Sequence, residues 1–179
     1  MKYLYFVRHG QTVWNLEQRL CGRTDVELSG LGIQQAVALG KRIRQDGVRI
    51  DCILHSPLVR AVDTAKKIAE YTGIPLHEEP RLIEQDFGCY ESGGRHAPEF
   101  LNAEKRFAVP VGGGESMLRL CQRVYNMLDE IREVPGEKVY LLVSHLGVSR
   151  AVHSYFHEME NEELTEYGAG NCEMIRYNW

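Results

Sequence analysis

The chain has 179 residues, enough for one domain with a substantial core, and we expect a single domain over residues 1–179. A formal net charge of −4 argues against a general nucleic-acid binder, which would carry a basic excess. No apolar run approaches the length of a membrane span or of a secretory signal. The five cysteines never occur as Cys-x-x-Cys, which excludes a zinc ribbon and favours a reducing compartment. We therefore expect a cytoplasmic protein with no nucleic-acid or membrane partner.

The first half of the chain alternates strands with helices. Four elements are predicted there: a strand over 3–7, a helix from a Ser29 cap to about 45, a strand over 52–54 and a helix from 56 to about 72. The strands are short apolar runs, and the first helix repeats apolar residues with a period near 3.6. The second helix is predicted to begin at Ser56-Pro57, because serine is a good N-cap and proline is accepted at the first helical position.

The second half begins with an irregular stretch, residues 82–114. It is followed by an amphipathic helix over 115–132, an apolar run over 138–143, a helix over 147–158 and a last strand over 173–177. The nearly continuous apolar run is typical of a central strand that is covered on both faces. The alternation predicts an α/β fold, a three-layer α/β/α sandwich around a mostly parallel sheet.

Histidines and arginines follow three of the predicted strands. The first strand leads into Arg8-His9-Gly10, the central apolar strand ends at His145, and the strand near residue 54 leads to Arg60. In open α/β sheets, ligands bind outside the carboxyl ends of the strands. The topology therefore predicts that two histidines and two arginines meet at one edge of the sheet.

Such a group suits phosphate chemistry. Arginine donates a planar fork of N–H groups to phosphate oxygens and stays charged. A neutral imidazole is a competent nucleophile near pH 7. Phosphoryl transfer depends mainly on positioning and charge stabilisation, which this group can supply without a metal. The residues predict a phosphoryl-transfer site with His9 as the nucleophile and with no metal or other cofactor.

Six ordered motifs span nearly the whole chain. They are Arg8-His9-Gly10-Gln11-Thr12 with Trp14-Asn15, Gly22-Arg23-Thr24-Asp25 with Leu28-Ser29, Ser56-Pro57-Leu58 with Arg60-Ala61, Arg81-Leu82-Ile83-Glu84 with Asp86-Phe87-Gly88, Gly113-Gly114-Glu115-Ser116, and Val143-Ser144-His145. Together they resemble the histidine phosphatase superfamily in its phosphoglycerate-mutase-like branch, of the broad phosphatase or α-ribazole phosphatase type. The resemblance implies a phosphoglycerate-mutase-like fold.

The resemblance also implies roles for individual residues. His9 takes the phosphoryl group as a phosphohistidine, and Glu84 protonates the leaving oxygen and then activates water. Three further residues hold the phosphoryl oxygens: Arg8, Arg60 and His145. Additional substrate or phosphate contacts are implied at Gln11, Asn15, Cys21, Gly22 and Leu146. Cys21, Leu146 and the pair Ser92-Gly93 depart from the residues usual in the family.

The implied activity is a metal-independent phosphomonoesterase that hydrolyses a small phosphorylated metabolite. A phosphoglycerate mutase is the rival enzyme, although mutases of this family generally carry longer insertions. A protein or phosphohistidine phosphatase and a non-catalytic sensor of phosphorylated ligands also remain open. The presence of both His9 and Glu84 argues against the sensor. The sequence leaves the natural substrate and the oligomeric state open.

Several of these residues have a simpler structural interpretation. Glu84 lies in an acidic stretch and could belong to a solvated acidic face. His153 and His157 are spaced for a metal site, but an exposed helical face is the preferred interpretation. Cys21 could be a reactive thiol, although a small packing residue is preferred. The glycines at 112–114 could cradle a phosphate, but they lack the lysine of a P-loop and are interpreted as a flexible lead into a helix.

Overall fold

The computed structural model describes residues 2–179, and within them the chain forms five strands and seven α-helices. The strands are β1 Tyr3–Arg8, β2 Cys52–His55, β3 Leu76–Glu78, β4 Tyr140–Ser144 and β5 Met174–Asn178. The helices are α1 Val13–Leu16, α2 Gly30–Gln45, α3 Val59–Thr72, α4 Pro98–Glu104, α5 Met117–Glu133, α6 Leu146–Phe156 and α7 Asn161–Glu166. None of these helices has both the length and the apolar character needed to cross a membrane.

The strands form one sheet in the order β3-β2-β4-β1-β5. All neighbours are parallel except β5, which pairs antiparallel with β1. The predicted mostly parallel sheet is therefore confirmed. Because β2, β4 and β1 are adjacent and parallel, their carboxyl ends lie together at one edge.

Alternate residues of the central strands face two different hydrophobic cores. Leu4 and Phe6 of β1 and Leu142 of β4 are fully buried in a cluster that includes α5 and α6. Val7 and Val143 belong to a second cluster that includes α2 and α3. Since helices cover both faces of the sheet, the predicted three-layer sandwich is confirmed.

The start of α3 differs from the prediction. Leu58 is its N-cap residue and the helix begins at Val59, so Ser56-Pro57 does not open it. The reason lies in the sheet, because the backbone N–H of Ser56 donates to the carbonyl oxygen of Val143 at 3.1 Å. This pairing with β4 keeps the chain extended for two residues beyond the predicted start.

The other boundaries shift by a few residues. The helix predicted from 115 begins at Met117, because the Ser116 side chain accepts the N–H of Arg119 and caps it. The predicted strand from 138 begins at Tyr140, and the helix predicted over 147–158 corresponds to α6. Four short elements were not predicted: β3, α1, α4 and α7.

The irregular stretch over 82–114 packs into a third, smaller cluster. Leu20, Phe87, Phe100 and Val111 are buried there against one another. The glycines at 112–114 precede α5, as predicted, but the first and third of them lie against the backbone of residues 86–88. They therefore allow a close crossing of two backbone segments within this cluster.

Another close backbone contact lies where β1 meets α2, and it yields a test of the fold. A Cβ on Gly32 would lie 2.0 Å from the carbonyl oxygen of Gln11, whereas one on Gly30 would meet nothing within 4 Å. We predict that Gly32→Ala lowers the free energy of unfolding by about 1–3 kcal/mol through overpacking. Gly30→Ala, the matched control, should be neutral or stabilising by up to about 1 kcal/mol. Urea unfolding measures the free energy of unfolding of both variants. Equal changes in the two would show that the close contact at Gly32 is not important for stability.

Candidate active site

The two predicted histidines lie side by side because their strands are in register. Arg8 at the end of β1 is opposite Ser144 at the end of β4, and a histidine follows each of them. The backbone N–H of His9 donates to the Ser144 carbonyl oxygen at 2.9 Å. The centroids of the His9 and His145 rings are 5.2 Å apart. His9 is 4% exposed and His145 is 0% exposed. Both imidazoles are thus fixed at the predicted edge of the sheet.

Hydrogen bonding sets which nitrogen of His9 is free. Its Nδ1 lies 2.7 Å from the carbonyl oxygen of Gly10. A carbonyl oxygen can only accept, so Nδ1 carries the proton and Nε2 keeps its lone pair. The backbone is held on both sides: the Gly10 N–H donates to Thr64 Oγ1 at 3.0 Å, and Asn171 Nδ2 donates to the His9 carbonyl oxygen at 2.8 Å. The His9 ring therefore presents a nucleophilic nitrogen in a fixed orientation.

Arg8 and Arg60 are buried beside these rings and donate to backbone carbonyl groups. Arg8 Nη1 donates to Ala169 at 3.1 Å. Arg60 donates from Nη1 to Thr24 at 3.0 Å and from Nη2 to Gly22 at 2.6 Å. These acceptors orient the guanidinium groups without neutralising them. The site keeps two positive charges available for an anion.

Three buried side-chain nitrogens in residues 2–179 have no hydrogen-bond partner. They are Nε of Arg8, Nε of Arg60 and Nδ1 of His145. Buried polar groups are nearly always hydrogen-bonded, so three exceptions in one place require a functional explanation. All three belong to residues that the sequence predicts to hold phosphoryl oxygens.

Burial and the two arginines together set the charge of the histidines. Burial, followed by the charges of Arg60 and Arg8, lowers the pKa of His9 well below 6.5. Burial, Arg60 and His9 lower the pKa of His145 in the same direction. Burial lowers the pKa of Arg8 to about 10, which leaves it charged at neutral pH. The site therefore combines neutral imidazoles with cationic guanidinium groups.

Glu84 lies inside the site, so its interpretation as part of a solvated acidic face is wrong. The residue is only 3% exposed. Oε1 accepts the N–H of Gln85 at 2.8 Å, and Oε2 accepts the N–H of Gly147 in the first turn of α6 at 3.0 Å. A Cβ at Gly147 would lie 2.6 Å from Glu84 Oε1, so this approach requires glycine. The carboxylate is oriented by two backbone donors.

A cavity of about 410 Å³ opens onto these groups. Six of the predicted site residues line it: Arg8, His9, Asn15, Cys21, Glu84 and Leu146. Arg60 and His145 are fully buried and are not among the lining residues. Gln11 and Gly22 also lie outside it: Gln11 accepts from the Ser29 hydroxyl at 3.0 Å, and the Gly22 carbonyl oxygen accepts from Arg60.

A basic wall of the cavity comes from residues outside the predicted catalytic and phosphate-binding set. Arg95, His96 and Lys105 line it, and so does Arg150 of α6. Arg150 ties the wall together, because it donates to Glu104 at 3.0 Å and to the carbonyl oxygen of residue 167 at 3.0 Å. No local motif marks these positions, since they meet only through the packing of α4, α6 and α7.

Neither a reactive cysteine nor a histidine metal site is supported by the geometry. Burial raises the pKa of the Cys21 thiol to about 11, which argues against a reactive thiolate. His153 stacks on Tyr167 with ring centroids 3.9 Å apart, so it is packed, whereas His157 is exposed as expected. No group of three or more metal-binding side chains is found within the part of the chain that the structure describes.

The sequence and the fold are similar to those of known proteins. The family model of the histidine phosphatase superfamily (branch 1) matches residues 4–179. The chain belongs to the histidine phosphatase superfamily. A sequence relative of this superfamily member is a probable phosphoglycerate mutase of Yersinia pestis (strain Pestoides F). It is 35% identical over 154 residues, which are 81% of this chain and 70% of the relative.

Solved structures of phosphatases are similar to this histidine phosphatase superfamily member. A mycobacterial glucosyl-3-phosphoglycerate phosphatase in complex with VO3 is 28% identical with a TM-score of 0.84, covering 98% of this chain and 90% of that one. The phosphoserine phosphatase of Entamoeba histolytica in complex with 3-phosphoglyceric acid is also 28% identical, with a TM-score of 0.83 and coverage of 98% and 90%. The phosphoglycerate-mutase-like fold is thereby confirmed, and the superfamily supports a phosphatase or phosphotransferase enzyme.

The neutral histidines predict a pH dependence of stability. Because the pKa of His9 and of His145 is lowered in the folded protein, the unfolded chain binds more protons than the folded one near and below pH 6.5. The free energy of unfolding should therefore fall as the pH drops from about 7.5 to about 5.5. Urea unfolding at each pH measures this, and His9→Gln with His145→Gln should flatten the slope. The exposed-residue control His157→Gln should keep it, and an equal slope in all three proteins would contradict the prediction.

Proposed function

We propose that this protein is a metal-independent phosphomonoesterase that hydrolyses a small phosphorylated metabolite through a phosphohistidine on His9. One observation carries the proposal. The three buried nitrogens without partners belong to Arg8, Arg60 and His145, which are the neighbours of the histidine whose Nε2 keeps its lone pair. A phosphoryl group bound there would supply acceptors for all three and would present its phosphorus to a nucleophile.

In the proposed first step, His9 Nε2 attacks phosphorus and the bond from phosphorus to the ester oxygen breaks. Glu84, which is protonated when this step begins, delivers its proton to that oxygen and becomes a carboxylate, so the alcohol leaves neutral. In the second step, Glu84 takes a proton from water, the water oxygen attacks phosphorus, and the bond from phosphorus to His9 breaks. Inorganic phosphate leaves and both side chains return to their starting states. Arg8, Arg60 and His145 stabilise the charge on the phosphoryl oxygens in both steps.

The cavity supports a small substrate. Its volume of about 410 Å³ lies at the lower end of the range for small-molecule sites. Arg95 and Lys105 add positive charge to its lining. The substrates in the relatives' names, such as phosphoserine and a phosphoglycerate, are also small phosphorylated metabolites. Within this class we leave sugar phosphates and α-ribazole phosphate as candidates for the screen below.

A phosphoglycerate mutase is the second candidate, favoured by the 35% identity to a probable mutase. Hydrolysis requires that water reach the phosphohistidine, whereas a mutase must exclude it. The open cavity and the short segment between Glu91 and α5 favour hydrolysis. The presence of His9 and Glu84 disfavours a non-catalytic sensor.

The purified protein should hydrolyse p-nitrophenyl phosphate in the presence of EDTA, because no step of the proposed reaction uses a metal. His9→Gln should lower kcat at least about 10³-fold and abolish acid-labile labelling by a ³²P-phosphorylated substrate, since the covalent step is lost. His157→Gln is the matched control, because this histidine is exposed and outside the cavity. A strict metal requirement, or labelling that survives in His9→Gln, would overturn the mechanism.

An assay of the same purified protein distinguishes the two candidate activities. With 3-phosphoglycerate, a phosphatase releases inorganic phosphate, and a mutase forms 2-phosphoglycerate. A panel of phosphorylated metabolites assayed for phosphate release then ranks the substrates by kcat/KM. Net isomerisation faster than phosphate release would establish the mutase instead.

Glu84→Gln should lower kcat by about 10²–10⁴-fold, the usual contribution of a general acid. Binding of inorganic phosphate, measured as product inhibition, should change much less, because the amide retains the shape of the carboxylate. The control is Glu78→Gln, an exposed glutamate at the end of β3. A near-normal kcat in Glu84→Gln would indicate that the proton donor is another acidic residue, Asp86 or Glu91.

A further inference from the structure

His145 is held between two neighbouring strands. On one side, β1 brings His9 against its ring. On the other side, β2 pairs with β4 so that Ser56 follows the strand, and Ser56 Oγ lies 2.7 Å from His145 Nε2. Both Ser56 and His145 are fully buried, at 0% exposure. The second histidine therefore has a dedicated hydroxyl neighbour that the mechanism has not used.

The direction of this hydrogen bond follows from the partners of Ser56. Within residues 2–179 its hydroxyl has two: His145 Nε2, and the N–H of Leu58 at 3.3 Å. The N–H of Leu58 can only donate, so it occupies a lone pair of the hydroxyl oxygen. The hydroxyl proton then has one possible acceptor, which is Nε2 of His145.

A neutral ring that accepts at Nε2 carries its proton at Nδ1. This nitrogen is the buried His145 atom that has no partner in the described chain. The opposite tautomer would leave two buried groups unsatisfied, the Ser56 hydroxyl proton and a bare lone pair at Nδ1. It would also direct that lone pair at the oxygens of a bound phosphoryl group. The doubly protonated ring is disfavoured by burial and by Arg60, which lower the pKa of His145.

We propose that Ser56 is a positioning residue that fixes His145 as its Nδ1–H tautomer and so makes a neutral imidazole a hydrogen-bond donor to the phosphoryl group. His9 carries its proton on the same atom for a different reason, because a carbonyl group accepts it there. The nitrogen without a partner in His9 is therefore Nε2, which carries a lone pair, whereas in His145 it is Nδ1, which carries a proton. Two identical rings 5.2 Å apart thus act differently, one as a nucleophile and the other as a hydrogen-bond donor to an anion.

The tautomer can be measured without any assumption about catalysis. In ¹⁵N-labelled protein near neutral pH and free of phosphate, long-range ¹⁵N–¹H correlation spectra distinguish pyrrole-type from pyridine-type ring nitrogens. Signals of His145 are identified by their loss in His145→Gln. We expect a pyrrole-type Nδ1 and a pyridine-type Nε2. The reverse assignment, or a charged ring, would overturn the inference.

Substitution of Ser56 tests whether the hydroxyl sets that state. Ser56→Ala should shift His145 toward the Nε2–H form, and Ser56→Thr, which retains the hydroxyl, should restore the Nδ1–H form. Ser144→Ala is the matched control, because its fully buried hydroxyl donates to the carbonyl oxygen of Leu82 instead. If the tautomer is unchanged in a folded Ser56→Ala, the inference is wrong. If that variant fails to fold, the wild-type and Ser56→Thr spectra still decide it.

The kinetic test rests on the proposed phosphatase function. Loss of one preorganised donor to a charged transition state lowers kcat by about 10²–10³-fold, so we expect Ser56→Ala to lose about 10²-fold in kcat for p-nitrophenyl phosphate. In a His145→Gln background, Ser56→Ala should have almost no further effect, because Ser56 acts through His145. Equal losses in both backgrounds would mean a merely structural contribution. An inactive wild-type protein would overturn the proposed function but leave the spectroscopic result standing.

Discussion

Arg8 and Arg60 are buried with only carbonyl oxygens as acceptors, and no carboxylate lies within ion-pair distance of either in the described chain. Buried charges without counter-ions are unfavourable, so this arrangement must be held by the surrounding fold. The three-layer packing supplies that support through two cores on either side of the sheet. Burial and, after it, the same uncompensated charge keep the neighbouring histidines neutral, and that charge also attracts an anion. Because an anion binds the folded state alone, its binding would add stability by mass action.

The parallel order β2-β4-β1 gives the two histidines, His9 and His145, different neighbours. The ends of β1 and β2 place His9 and Ser56 on either side of His145. In each histidine, the ring nitrogen that the hydrogen-bond partner occupies determines which nitrogen is left free. A carbonyl oxygen beside His9 and a hydroxyl beside His145 give the rings opposite properties. Chemical difference between the two histidines therefore originates in the groups that surround them and in strand register, rather than in the residues themselves.

Much of this arrangement could be predicted from the sequence, because buried strands have a simple pattern and their carboxyl ends share an edge. The start of α3 could not, since Ser56-Pro57 has the local chemistry of a helix cap and only pairing with β4 keeps it extended. The burial of Glu84 was equally hidden, because its neighbours in sequence are acidic while its hydrogen-bond donors include Gly147, far along the chain. The basic wall of the cavity depends on contacts between short helices that have no sequence motif of their own. Local sequence predicts elements well where local forces dominate, and fails where distant segments decide.

Arg8 and His9 are held by residues from the opposite end of the described chain. Arg8 donates to the carbonyl oxygen of Ala169, Asn171 donates to that of His9, and the N–H of Cys172 donates to that of Arg8. These bonds close loops of more than 160 residues, and closing such long loops costs conformational entropy. During synthesis the chain carries His9 from the first strand onward without these supports. Residues 169–172 are synthesised long after His9, so the backbone around His9 gains these hydrogen bonds only after those residues have been made.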